Sequence, residues 1–388
     1  MRKPNQLAWT GARHDFPGTT YIHPYGYFGG ITSELEFEDD TRTLFLIDCN
    51  QWPPAEVDLS ELRPDVDGAN LLLVGAEGER RYWRRLLQEG APGTGDVFQY
   101  EVSTGAHFEN LGPPVRGDFH HLDCIVDAGV LYGLHRVDDS ADWPVRRCVA
   151  RIDGAGVTTV LVPGQDVVLT GLGPGRILVS ASNQHMASLD EAVYWLWDEG
   201  RAEALTGPHR YPAIPVQPYE ALAWLGGDGI LFCSKTSVPH EHNIVGHEHT
   251  LQLHRFDVLT GAHAAAALEG FGSTLKVPTT IYKTEPRQTA LLQSFEGKID
   301  IVAGGAGWWI LNYGTQMPGK KTVCWLWHQH TNAVVKIMAS DLPGLDVLAV
   351  LYAPGIDRYL VSVPNAILQL AGIDAITEKQ GTATLSWT

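Results

Sequence analysis

Four histidines crowd one stretch of this chain, Pro239-His-Glu-His-Asn-Ile-Val-Gly-His-Glu-His249. Imidazole nitrogens and carboxylates are ligands for zinc, iron and copper. In extended backbone, side chains two residues apart point the same way. His240 and His242 therefore form one arm, and His247 and His249 a second. Asn243 to Gly246 would turn the chain between them. Two such arms can close a four-nitrogen site for zinc or another divalent metal. A solvated polar loop joining two strands accounts for the same residues.

A second pair of histidines lies in Asp118-Phe-His-His-Leu-Asp123, at the start of an apolar, strand-like run. Neighbouring residues of a strand face opposite sides, so only one of His120 and His121 can face a given site. Glu220 opens another such run. Histidine titrates near neutral pH and serves as general base or metal ligand. With Glu220 as carboxylate, these residues would suit a lyase, isomerase or hydrolase. Packing of one histidine and hydrogen bonding of the other is the alternative.

Arg80, Arg81, Arg84 and Arg85 fall in Glu77-Gly-Glu-Arg-Arg-Tyr-Trp-Arg-Arg-Leu-Leu-Gln-Glu-Gly90. This stretch has helical composition and a glycine stop, which predicts a short helix near 79–89. Its arginines would face an acidic partner, or pair with Glu77 and Glu89 one turn away. Trp308 and Trp309 are adjacent, so both cannot be buried on one face. One of them is a candidate binding residue on the surface.

Other signatures are missing from the sequence. It holds no GxSxG, Walker A, HExxH, or GxGxxG between a strand and a helix. The net charge of −17 argues against nucleic acid, which needs a basic footprint, and against an anionic membrane surface. It is compatible with a basic protein partner or a small cationic ligand, and solubility alone accounts for the same charge. Five cysteines (Cys49, Cys124, Cys148, Cys233 and Cys324) lie in or beside apolar runs without a CxxC, and read as buried free thiols. The first residues lead into no apolar leader segment, so the expected compartment is the cytoplasm.

The elements that position these residues repeat. Val97-Phe-Gln-Tyr-Glu-Val-Ser-Thr-Gly-Ala-His107 matches Leu253-His-Arg-Phe-Asp-Val-Leu-Thr-Gly-Ala-His263. Val193-Tyr-Trp-Leu-Trp197 matches Val323-Cys-Trp-Leu-Trp327. Such self-similarity at a long period marks a repeat architecture. Asp166 to Leu205 shows the unit: a short apolar strand, a glycine-rich turn, a second strand, a polar loop, a third strand and an edge strand. The third strand ends near Asp48, Glu101, Asp153, Asp198, Asp257 and His328. That spacing averages about 55 residues, which gives about seven units, with six or eight open. Each unit is apolar on both faces, and stacking units in a ring buries both. Ring closure would let Gln6 to Thr10 and Thr382 to Trp387 share a unit. Leu275 to Phe295 reads as an extra hairpin.

The repeat resembles the β-propeller class, in which the third strand ends in an Asp-x-x-Thr-Gly-like turn, as in quinoprotein-type and WD40-like blades. Phe256-Asp-Val-Leu-Thr-Gly261 fits that turn, and Tyr100-Glu-Val-Ser-Thr-Gly105 fits it loosely. The Trp-Asp pair of WD40 repeats occurs once, at Trp197-Asp198. The resemblance implies an all-β single domain over 1–388, with seven four-stranded blades. The expected function is binding: an interaction or neutralising propeller that holds a protein or ligand through its rim loops. The alternative is an enzyme with His120, His121 and Glu220 at the central channel. A fold of this kind does not by itself select between them.

Overall fold

The computed structural model describes residues 9–16, 26–28, 30–38, 41–66, 70–90, 95–117, 124–127, 129–136, 147–152, 160–162, 166–171, 176–182, 193–198, 222–227, 229–239, 247–257, 260–268, 275–277, 298–314, 323–338, 349–363 and 366–388. Among these residues the strands form seven antiparallel sheets that follow one another along the chain. Blade 1 comprises Gly26–Phe28, Ile31–Glu38, Thr41–Asp48 and Ala55–Val57. Blade 2 comprises Leu71–Glu77, Arg80–Gln88, Asp96–Thr104 and His107–Gly117. Blade 3 comprises Cys124–Asp127, Val130–Arg136, Arg147–Arg151 and Val160–Val162. Blade 4 shows Asp166–Gly171, Arg176–Ser182 and Val193–Asp198. Its expected edge strand, 202–205, lies outside the described residues.

Blade 5 comprises Leu222–Gly226, Gly229–Pro239, His247–Asp257 and His263–Ala267. Blade 6 comprises Lys298–Ala303, Trp308–Gly314, Val323–His328 and Ala333–Met338. Blade 7 comprises Ala349–Ala353, Arg358–Val363 and Ala366–Leu370, and its fourth strand is Trp9–Asp15 from the other end of the chain.

The strands are apolar on both faces because both faces are covered. In blade 6, Cys324 and Leu326 pack with Val350, Val361 and Leu368 of blade 7. The alternate residues Trp325 and Trp327 pack with Leu231, Leu253 and Ala266 of blade 5. This is the period-2 alternation of a strand used twice. Blade 2 repeats it: Leu71 and Leu73 join blade 1, while Leu72 and Val74 join blade 3. Each large side chain so buried contributes about 1.5–3 kcal/mol. The first strands of successive blades from 1 to 6 also approach one another, blades 3, 4 and 5 included.

The ring closes between blades 7 and 1. Ile47 and Cys49 of blade 1 pack with Leu351, Leu360 and Ile367 of blade 7. The Gly355 backbone N–H donates to the Asn50 side-chain oxygen at 3.0 Å. Seven sheets stacked face to face and closed in this way make an all-β propeller. Cys49, Cys124, Cys233 and Cys324 are buried free thiols within it.

Two expectations are corrected, and a third falls partly outside the described residues. The stretch expected as a helix near 79–89 is a strand, Arg80–Gln88, paired on both sides. Tyr82 and Trp83, on its opposite faces, are both buried, and that packing outweighs helical composition. Trp9–Asp15 pairs with Ala366–Leu370 in blade 7, whereas Ala383–Thr384, from the segment expected to share its blade, pairs with the edge strand of blade 6. Of the expected hairpin, Leu275–Val277 pairs with His247–His249 as an added strand of blade 5, and 278–297 lie outside the described residues. A short helix, Ile373–Gln380, joins blade 7 to the C-terminal strand.

Candidate functional site

Those of the sequence-predicted residues that are described lie in three different blades. His120, His121, Glu220, His240 and His242 lie outside the described residues. His247 and His249 sit in the third strand of blade 5, opposite Pro239 and Ser237. Among the described residues, no three of His, Cys, Asp or Glu converge as a metal site. Among them, too, no helix is long and apolar enough to cross a membrane.

The four arginines do not form one surface. Arg80 is exposed, with its guanidinium carbon 5.4 Å from the Tyr82 ring centroid. Arg81 pairs with Asp48 of blade 1 at 3.4 Å. Arg84 is buried and stacks over Phe98 at 4.7 Å. Arg85 donates to Glu101 at 2.8 Å, and Arg63 reaches the same oxygen at 3.1 Å. The i,i+4 pairing with Glu77 and Glu89 that a helix would give is therefore replaced by cross-strand and cross-blade pairing. Trp308 and Trp309 are both half-buried. Trp308 meets His328 edge to face at 5.0 Å, and Trp309 donates from Nε1 to Gln329 Oε1 at 3.0 Å.

A pocket of about 410 Å³ opens at the edge between blades 5 and 6. Turn chemistry builds one wall. Asp257 ends the third strand of blade 5, and its carboxylate accepts from the Thr260 N–H at 2.7 Å. Gly261 follows at φ +73°, a left-handed conformation that glycine adopts without strain. Leu225, Ala262 and Ala264 supply apolar lining on the Arg255 face of blade 5, Ile230 and Phe256 border the pocket from the opposite face, and Gln329 and His330 come from the turn that follows the third strand of blade 6.

Arg255 is the charged centre of this pocket. Its guanidinium carbon lies 4.7 Å from the Trp327 ring centroid and 4.4 Å from that of Trp387. Its Nη2 donates to the Gln329 carbonyl at 2.6 Å and to Asn332 Oδ1 at 3.1 Å. Trp387 Nε1 donates to the same Asn332 oxygen at 2.9 Å. Cation–π contact and hydrogen bonding thus fix the guanidinium plane. Burial pulls its pKa below the ordinary guanidinium value, and it remains a cation at neutral pH. Among the described residues, no carboxylate lies within ion-pair distance of it, whereas Arg63, Arg81 and Arg85 each have one.

A histidine pair adjoins Arg255. His254 Nδ1 and His263 Nε2 are hydrogen-bonded at 2.9 Å. His254 is buried and stacks flat on Phe232, with centroids 4.6 Å apart and planes at 5°. Desolvation, followed by the nearby His263, lowers its pKa to about 4, so His254 is neutral at pH 7. His263 is exposed and lines the pocket.

Sequence reasoning missed Arg255, His254, Gln329, Asn332 and Trp387. One signal was present. In the matched repeats, Phe98-Gln99 of blade 2 stands where His254-Arg255 stands in blade 5. A cation between Leu253 and Phe256, where the matched repeat carries a neutral glutamine, marks either a buried pair or a site.

Neither a protein-family model nor a curated protein matches the chain. Among solved structures it is similar to YCF48 bound to a D1 peptide, at 12% identity and TM-score 0.40, over 94% of this chain and 97% of that one. It is similar to an oligogalacturonate lyase in complex with manganese, at 10% identity and TM-score 0.40, over 97% and 100% of the two chains. It is also similar to Drosophila Semaphorin 1b extracellular domains 1–2, at 10% identity and TM-score 0.38, over 95% and 87%. The fold rests on the seven sheets of this chain and their closure.

Proposed function

We propose that this propeller is a binding module whose recognition centre is the pocket between blades 5 and 6. One observation carries the reading: Arg255 is held rigid between Trp327 and Trp387 at a preformed pocket, with no carboxylate at ion-pair distance among the described residues. Pockets of about 300–1,000 Å³ with apolar walls and a few fixed polar groups are the usual form of ligand sites. A rigid aromatic and arginine cluster is also the usual composition of a binding hot spot. The partner is a small ligand or an inserted segment of a protein.

A photo-cross-linking residue that replaces His330, which is exposed and lines the pocket, tests this in the producing cell. A discrete adduct, lost when Arg255 is also replaced by methionine in a protein that stays folded, is the expected result. An adduct that persists unchanged, or none at all, contradicts the reading.

A further inference from the structure

We propose that the pocket takes a carboxylate carried on an apolar body, with the carboxylate meeting Arg255 and the body lying against Leu225, Ala262 and Ala264. This rests on the binding reading above and names the class of ligand.

The donors of Arg255 are only partly used. Nη2 satisfies Gln329 and Asn332. Nη1 has no described partner, and Nε is buried without one among the described residues. An arginine that serves only as a latch between blades needs its Nη2 bonds and its ring faces, and those account for Nη2, Trp327 and Trp387. They leave Nη1 over. Nη1 can donate a charge-assisted hydrogen bond to a carboxylate, and such a bond is roughly twice as strong as a neutral one.

The other polar groups fit the same ligand. Gln329 Oε1 is tied to Trp309, which turns Nε2 outward as a donor, 3.1 Å from His330 Nε2. His263 and His330 add ring nitrogens to the lining. The one carboxylate of the lining, Asp257, is engaged by its own turn at Thr260. The rest of the wall is aliphatic or aromatic, so a purely polar anion would leave it uncovered. The net charge of −17 opposes an incoming anion at long range, but salt screens that field beyond about 8 Å. The contact at Arg255 is shorter than that. Affinity for a ligand of this size is then of order 1 mM or tighter.

The test uses 3-phenylpropionate and its uncharged amide, titrated into the whole chain and followed by tryptophan fluorescence and calorimetry. The acid is expected to bind about tenfold tighter than the amide. Arg255→Met should remove that preference, and Arg255→Lys should weaken it. Ala262→Phe should block both probes while leaving every described contact of Arg255 in place. If Arg255→Met does not fold, loss of acid binding in folded Ala262→Phe supports the proposal, and retained binding overturns it. Equal binding of acid and amide, both lost in Ala262→Phe, overturns the carboxylate and leaves the pocket as a recognition site. Failure of both probes to bind overturns the carboxylate inference, while cross-linking from position 330 reports separately on the binding reading.

Discussion

The side chain of Asn312 pairs with the backbone of Val350 as a strand would. Its Nδ2 donates to the Val350 carbonyl at 2.9 Å, and its Oδ1 accepts from the Val350 N–H at 2.9 Å. Asn312 lies in the second strand of blade 6 and Val350 in the first strand of blade 7, and both are buried. An amide thus continues sheet hydrogen bonding across a blade boundary. Replacing Asn312 by leucine keeps the volume but orphans a buried N–H and a buried carbonyl. We expect a loss of about 2–4 kcal/mol, read as a lower midpoint in urea with an unchanged slope. Full stability in Asn312→Leu would show that the pair contributes nothing.

His254 makes the fold acid-sensitive. Its pKa is about 4 in the folded protein and about 6.5 in the unfolded chain. Between those values the unfolded state binds more protons, so stability falls as pH drops from about 6.5 to about 4. Below that range the loss is complete and levels off. The full step is about 3 kcal/mol. His254→Phe, which extends the stack on Phe232, should flatten that portion of the stability curve. An unchanged pH dependence in this variant would place the titrating group elsewhere.

Glu101 is fully buried, and one of its oxygens accepts from both Arg63 and Arg85. Glu101→Ala removes the carboxylate paired with Arg85 and leaves Arg63 with Asp65 alone, and a cost of about 3 kcal/mol follows from breaking such a pair. Leu87, 42% exposed near the end of the same blade's second strand, should tolerate Leu87→Lys within about 0.5 kcal/mol. A helix over this stretch would not single out Glu101, so equal costs at the two positions would contradict the strand.

The repeat was legible because its signals are local. The Thr-Gly-Ala-His turns of blades 2 and 5 are read from four residues, and both glycines take positive φ, +57° at Gly105 and +73° at Gly261. The alternation of Val323 to Trp327 likewise announces two covered faces. Arg80 to Leu87 misled because arginine and leucine suit a helix, while the decisive contacts come from neighbouring strands and blades. Arg255 was missed for a related reason. Its hydrogen-bond acceptors lie 74 and 77 residues along the chain, and no local pattern encodes them. The histidine arms were visible as composition, but convergence of ligands is a property of the folded loop.

Site-resolved ¹⁵N spectra of the tryptophan indoles test the central claim most directly. Trp387 and Trp327 flank Arg255, whereas Trp83 packs between blades 1 and 2. On adding 3-phenylpropionate, the Trp387 and Trp327 indole signals should shift and saturate together, with Trp83 unmoved. The amide should produce smaller shifts at the same concentration. Saturating shifts at Trp83 with Trp387 and Trp327 unmoved, or no shift at any of the three, would contradict carboxylate recognition at Arg255.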